Sequence, residues 1–213
     1  MSVKLNPEKA LIFRIVHVDN VPWILDHGMH CRSSDTVDPN YVNIGKHDLI
    51  RARHSREVPI APGGTLSDYV PFYFTPFSIM MYKIKTGHGD VVQLTNCEIV
   101  IFVSSLHRIA DLGIPFLFTN GHAYPLYVKF FSNLEDLNNL DWELLRARDF
   151  HHDPDDPGKK DRYQAEALVH HHVPISGFLG IGCINDRVKE FLDGELAKRG
   201  QNLDVKVTRA WYF

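Results

Sequence analysis

The chain has 213 residues, 44% hydrophobic and 23% charged, with a formal net charge of −3. That balance excludes collagen-like, coiled-coil and disordered classes, and no apolar run nears the ~20 residues that span a bilayer. At roughly 100–200 residues per domain, one domain over residues 1–213 is expected, large enough to bury a core. The first nine residues lack a basic stretch followed by an apolar one. No secretory signal is therefore expected, and the chain reads as soluble and cytoplasmic. Its charge argues against coating duplex DNA but leaves room for a local basic groove. Cys31, Cys97 and Cys183 are far apart and form no Cys-x-x-Cys pair, so neither a disulfide framework nor a zinc cassette is expected.

In chain order, the β-branched, apolar run from Ala10 to Val18 predicts a buried strand. Asp19 as a cap, Pro22 in a first turn and Gly28 at the end predict a short helix. Residues 33–56 are polar and weakly periodic, a long connection holding at most a short helix near Lys46 to Arg53. After the turn-rich stretch 59–64, Tyr69 to Phe74 predicts a strand. Thr75 as cap and Pro76 at the first helical position predict a helix carrying Ile79, Met80, Met81 and Ile84 to Gly87. Glu98 to Val103, Pro115 to Phe118, Glu166 to Val169, Gly177 to Cys183 and Val205 to Tyr212 predict further strands. Asp186 to Lys198 predicts a helix with Val188, Phe191, Leu192 and Leu196 on one side.

Strands outnumber helices along the whole chain, which predicts an α+β fold with a mixed or antiparallel sheet. No Gly-x-Gly-x-x-Gly follows a strand, and no Gly-x-x-x-x-Gly-Lys-Ser/Thr is present. Rossmann-type dinucleotide binding and P-loop phosphate transfer lose their sequence support.

Four features carry possible chemistry. Arg51, Arg53 and Arg56 lie in an apolar-poor segment and form either a solvated basic face or an anion site. The polar loop 149–162 contains His151 and His152 among aspartates, but its Pro-Gly punctuation reads as a surface loop. His170, His171 and His172 alternate along a strand and cannot turn three rings toward one ion, so no metal site is expected. Glu166 opens the apolar run Ala167-Leu168-Val169 close to Arg162. A carboxylate at the mouth of a buried strand is paired, solvent-facing or functional.

Four segments in order carry a more specific signal: residues 12–20 (IFRIVHVDN), 63–78 (GGTLSDYVPFYFTPFS), 121–123 (GHA) and 162–168 (RYQAEAL), with a terminal Trp211-Tyr212-Phe213. Together they resemble the DarT family of DNA ADP-ribosyltransferase toxins over nearly the entire chain. The resemblance implies an ADP-ribosyltransferase-like fold, a split, mixed β-sheet core with flanking helices. It implies transfer of ADP-ribose from NAD+ to a base in single-stranded DNA, most often thymine, with release of nicotinamide. NAD+ is then a co-substrate, single-stranded DNA the acceptor, and a DarG-like macrodomain antitoxin the partner.

Residue by residue, Glu166 matches the family's catalytic glutamate and Arg53 its essential arginine. Arg14, Ile15 and Val16 match the first-strand positions at the nicotinamide end, and Trp23 and Cys31 match further NAD+-contacting positions. Many relatives carry His where this chain has Arg14. His122 matches a histidine opening the loop before the catalytic glutamate. Arg162, Tyr73 and Met80, with Phe77, Lys159 and Lys160, are candidates for the DNA surface, since such surfaces combine basic and aromatic side chains.

Chemistry fits these assignments. Breaking a nicotinamide–ribose bond builds oxocarbenium-like charge, which a fixed carboxylate stabilises. Arginine serves either the pyrophosphate or the acceptor base, and both roles stay open for Arg53. The competing readings are the same fold acting on guanine, RNA or protein, and a catalytically silent nucleic-acid-binding module.

Overall fold

The structure, a computed structural model, describes residues 4–89 and 91–213. Its first half contains β1 (Leu11–His17), α1 (Val21–His27), β2 (Met29–His30), α2 (His47–Arg53), β3 (Tyr69–Tyr73) and α3 (Ile79–Thr86). Next come β4 (Ile99–Ser105), α4 (Leu106–Asp111), β5 (Phe116–Thr119), β6 (Phe130–Phe131) and α5 (Trp142–Ala147). The chain closes with α6 (Lys159–Arg162), β7 (Glu166–His170), β8 (His172–Val173), β9 (Gly180–Cys183), α7 (Asp186–Lys198) and β10 (Asp204–Val207).

Eight strands form one sheet in the order β10-β9-β4-β1-β3-β7-β5-β6, and β2 pairs with β8 beside it. Among the described residues only β10 and β9 run parallel in this sheet; its other pairings are antiparallel, so the sheet is mixed, as predicted. The central strands are apolar on both faces because helices and loops cover them. Ile99, Val100, Ile101 and Phe102 on β4, and Ala167, Leu168 and Val169 on β7, are fully buried.

Pairing is uneven at the middle of the sheet. β1 pairs with β4 from Leu11↔Ser105 to His17↔Ile99, but with β3 only at Phe13↔Tyr73. Beyond that point β1 and β3 splay apart, and backbone groups and side chains face a gap. The Arg14 guanidinium spans it, its Nη1 donating to the Pro71 carbonyl at 3.2 Å. The sheet is split here.

Several boundaries differ from the sequence expectation. The helix after β3 starts at Ile79, not at Pro76, because the Ser78 hydroxyl accepts from the Met81 amide at 3.1 Å. Thr75 instead accepts from the Phe77 amide and shapes the turn before it. The strand expected from Gly177 begins at Gly180, since residues Ile175–Gly177 form a 3-10 turn. The last strand stops at Val207 instead of continuing to Tyr212. There Trp211 turns onto the face of Gly182, where any Cβ would sit 2.7 Å from its ring, and Tyr212 donates to the carbonyls of Ile99 and Gly182.

Gly28 ends α1 with φ +78, as its position suggested. A Cβ there would collide with the His172 ring and come 2.7 Å from the Val173 carbonyl. Gly28→Ala is therefore expected to lower stability by about 1–3 kcal/mol, read as a drop in Tm, through the strained backbone and displacement of β8.

Candidate active site

Glu166 is the first residue of β7, cross-strand from Tyr73 on β3, and only 3% exposed. Its backbone is fixed by the Thr119 hydroxyl on the next strand, which accepts from the Glu166 amide at 3.2 Å. Its carboxylate has two separate holders. Oε2 accepts from Arg53 Nη1 at 2.9 Å, and Oε1 accepts from the Ala123 amide at 3.0 Å. His122 Nε2 lies 3.8 Å from Oε1. Burial pushes the carboxyl's pKa up, yet the charges of Arg53 and His122 and the two hydrogen bonds outweigh it and hold Glu166 below its ordinary value. It stays ionised although it is buried.

Arg53 occupies the last turn of α2, a helix without a side-chain N-cap and without a fully buried residue. Its ion pair with Glu166 bridges 113 positions of sequence and ties this weakly packed helix to the sheet. The other two arginines of the segment have different fates. Arg51 is exposed and pairs with Asp48 on its own helix. Arg56 is no solvated basic face: its guanidinium donates to the carbonyls of Tyr124, Pro125 and Glu57 and lies 5.7 Å over the Phe130 ring. It anchors the loop that presents His122 and Ala123.

A cleft opens at the split between β1 and β3. Arg14 and Ile15 line it from β1, Trp23 from α1, and Cys31 from the segment after β2. Arg53, Tyr73, Met80, His122 and Glu166 line it as well. Nine of the residues singled out from sequence thus share one cavity. Val16 does not; it is buried in the core, opposite Val100. Arg162 does not either. Although it precedes Glu166 by four residues, its guanidinium pairs with Asp156 at 2.7 Å and Asp141 at 3.2 Å, while Glu166 takes Arg53. Lys159 is likewise held by Asp149 and Asp153, whereas Lys160 is exposed. Phe77 lies under Arg148 and against Phe213.

Sequence reasoning missed part of the wall, including Ser67, Asn43 and Lys46. Ser67 lay inside the distinctive 63–78 block, but nothing in a lone serine marks it as cleft-facing. Tyr73 contributes a hydroxyl whose pKa burial, then the Glu166 charge, push up to about 12, leaving it a neutral donor. Among the described residues, no three His, Cys, Asp or Glu side chains converge as a metal site would need, and no helix is long and apolar enough to cross a membrane.

Arg14 Nε, Arg53 Nη2 and Ser67 Oγ are buried without a hydrogen-bond partner, and all three residues line this cleft. Buried polar atoms of this kind are costly unless something supplies the missing partner. Two guanidinium N–H groups and a hydroxyl suit an anionic, oxygen-rich ligand such as a dinucleotide.

The family model described as "ssDNA thymidine ADP-ribosyltransferase, DarT" matches residues 13–213. The chain belongs to the DarT family. A DNA ADP-ribosyl transferase of Escherichia coli O127:H6 is 49% identical over 212 residues, covering 100% of this chain and 97% of that protein. One from Thermus sp. strain 2.9 is 36% identical over 209 residues, covering 97% of this chain and 98% of its own. The solved structure of Thermus sp. 2.9 DarT in complex with ADP-ribosylated ssDNA superposes with a TM-score of 0.90 at 31% identity, covering 100% of both chains. The same protein in complex with NAD+ gives 0.85, over 97% of this chain and 99% of that one. The DarT fold is therefore the α+β mixed sheet described above.

Proposed function

We propose that this chain transfers ADP-ribose from NAD+ to a thymine base of single-stranded DNA and releases nicotinamide. The observation that carries this reading is the buried Glu166–Arg53 pair, set in a cleft whose unpartnered polar atoms suit a dinucleotide. In this reading, NAD+ brings a ribose carbon that turns positive as its bond to nicotinamide breaks. Glu166 faces that charge as a preorganised carboxylate and stabilises it more in the transition state than in the ground state. Arg53 holds Glu166 with Nη1 and has Nη2 left for the ligand. Arg14 and Ser67 offer the remaining donors, and Trp23, Ile15 and Cys31 supply apolar wall.

The family assignment and the relatives solved with NAD+ and with ADP-ribosylated ssDNA support the two substrates. The chain then works as one domain over 1–213, as a cytoplasmic toxin restrained by a DarG-like macrodomain antitoxin that removes the ADP-ribose.

A ring nitrogen of a paired base is hydrogen-bonded and stacked, so only an unpaired base can reach the ribose carbon. Transfer of labelled ADP-ribose to a thymine-containing oligonucleotide is expected to fall to background when its complement is annealed. Equal labelling of both forms, or labelling of protein alone, would overturn the reading.

A further inference from the structure

Proline cannot donate to a ladder, so within sheets it is normally confined to edge strands, strand starts and bulges. Pro71 is the third of the five residues of β3, and β3 lies inside the eight-stranded sheet, between β1 and β7. The register shows how it is accommodated. β3 pairs with β7 at every position from Tyr69↔His170 to Tyr73↔Glu166, Pro71↔Leu168 included. With a proline at 71, unbroken antiparallel pairing requires Val70 and Phe72 to turn their bonding groups toward β7. Those of Pro71 then point the other way. Its missing N–H falls on the side that faces β1.

That side is where the sheet splits. β1 and β3 pair at Phe13↔Tyr73, and the next bonding pair in that register would join Ile15 to Pro71. Pro71 has no N–H for the Ile15 carbonyl, so this pair cannot close. The Pro71 carbonyl is engaged as well, accepting from Arg14 Nη1 at 3.2 Å. An inner strand thus behaves as an edge over this stretch. Arg14, Ile15, Tyr69, Val70 and Pro71 all line the cleft that results.

We propose that Pro71 and Arg14 are positioning residues for NAD+: Pro71 keeps β3 from closing onto β1 beyond Tyr73, and Arg14 takes the freed carbonyl and props the gap at the width the dinucleotide enters. This rests on the reading of the chain as an NAD+-dependent transferase. Neither residue moves a proton or an electron pair; both act on the shape of the cleft before the chemistry begins. The arrangement gives up ladder hydrogen bonds in the middle of a sheet, where a β-branched residue would fit better than proline. Replacing Pro71 should therefore move stability and NAD+ binding in opposite directions, which loss of an ordinary packing residue would not do.

The test is Pro71→Val, which suits a strand and supplies an N–H facing the Ile15 carbonyl. Without NAD+, the amide introduced at position 71 is expected to be protected from hydrogen exchange, with Tm at or above wild type. NAD+ affinity is expected to fall roughly tenfold or more, the worth of one hydrogen bond the ligand must now displace, with KM rising more than kcat falls. Arg14→Met, which uncaps the Pro71 carbonyl and lets the gap narrow, should weaken NAD+ binding too. Arg14→Lys keeps a donor for that carbonyl and should bind NAD+ closer to wild type than Arg14→Met does. Wild-type NAD+ affinity in Pro71→Val, or an amide at position 71 that exchanges as freely as one in an exposed loop, would overturn the role of Pro71. Equal NAD+ affinities of Arg14→Lys and Arg14→Met would overturn that of Arg14. If Pro71→Val fails to fold, Pro71→Ala supplies the same N–H and is read the same way. The exchange measurement needs no substrate, so failure of wild type itself to bind NAD+ would instead overturn the transferase reading.

Discussion

Glu166→Gln is expected to reduce transfer to DNA by at least ~10²–10³-fold, the loss typical of one preorganised electrostatic contact, while NAD+ affinity changes little. Gln retains the shape and one carbonyl oxygen, so the Ala123 amide keeps an acceptor. What disappears is the negative charge opposite the developing oxocarbenium ion. Glu166 is the partner of Arg53, so the amide leaves a nearly buried guanidinium without its counter-charge. Removing one partner of a fully buried ion pair costs about 3–5 kcal/mol, and the opening of the cleft to water places the cost here below that. A modest fall in Tm should therefore accompany the loss of activity.

The pH dependence of stability separates the two effects. Glu166 has a lowered pKa in the folded chain, so its contribution is present above the unfolded carboxylate value and is lost as pH falls through the folded one. Wild type should lose stability across that acidic interval, and Glu166→Gln should lose less there. Thermal melts from neutral to acidic pH, with oligonucleotide labelling on the same preparations, decide it. A folded Glu166→Gln protein labelling DNA at near wild-type rate would remove Glu166 from the mechanism.

The sequence made the strands legible where a β-branched run stood between turn residues, as at Leu11–His17 and Ile99–Ser105. It marked Glu166 because a lone carboxylate opening an apolar run demands an explanation. It did not reveal the partner. Arg162 is close in sequence, but the turn at 163–165 separates it from Glu166, and Asp141 and Asp156 claim its charge. Arg53 is distant in sequence, and composition alone treats it like Arg51 and Arg56; the family resemblance singled it out. The start of α3 shows the same limit. Thr75 and Ser78 are both capping residues, and local preference cannot decide which amide each will meet. The cleft itself was invisible, because it arises from the single-position pairing of β1 with β3.

The three arginines make the last expectation the sharpest. Arg53→Ala is expected to lower kcat/KM by roughly one to two decades or more, because the guanidinium that holds Glu166 lines the cleft and has a second, unpartnered N–H at Nη2. The loss should exceed that of a simple contact, since an unheld Glu166 carboxylate also gains proton affinity and α2 loses its tie to the sheet. Arg53→Lys keeps the charge but offers no planar fork, so it should restore stability more than activity. Arg51→Ala removes only an exposed pair on one helix and should match wild type within error. Arg56→Ala should fall between them, because the carbonyls of Tyr124 and Pro125 lose their donor and the loop bearing His122 and Ala123 loosens. Single-turnover labelling of one oligonucleotide by all four variants gives the ranking. If Arg51→Ala proved more damaging than Arg53→Ala, the Arg53–Glu166 pair would not be the centre of the site.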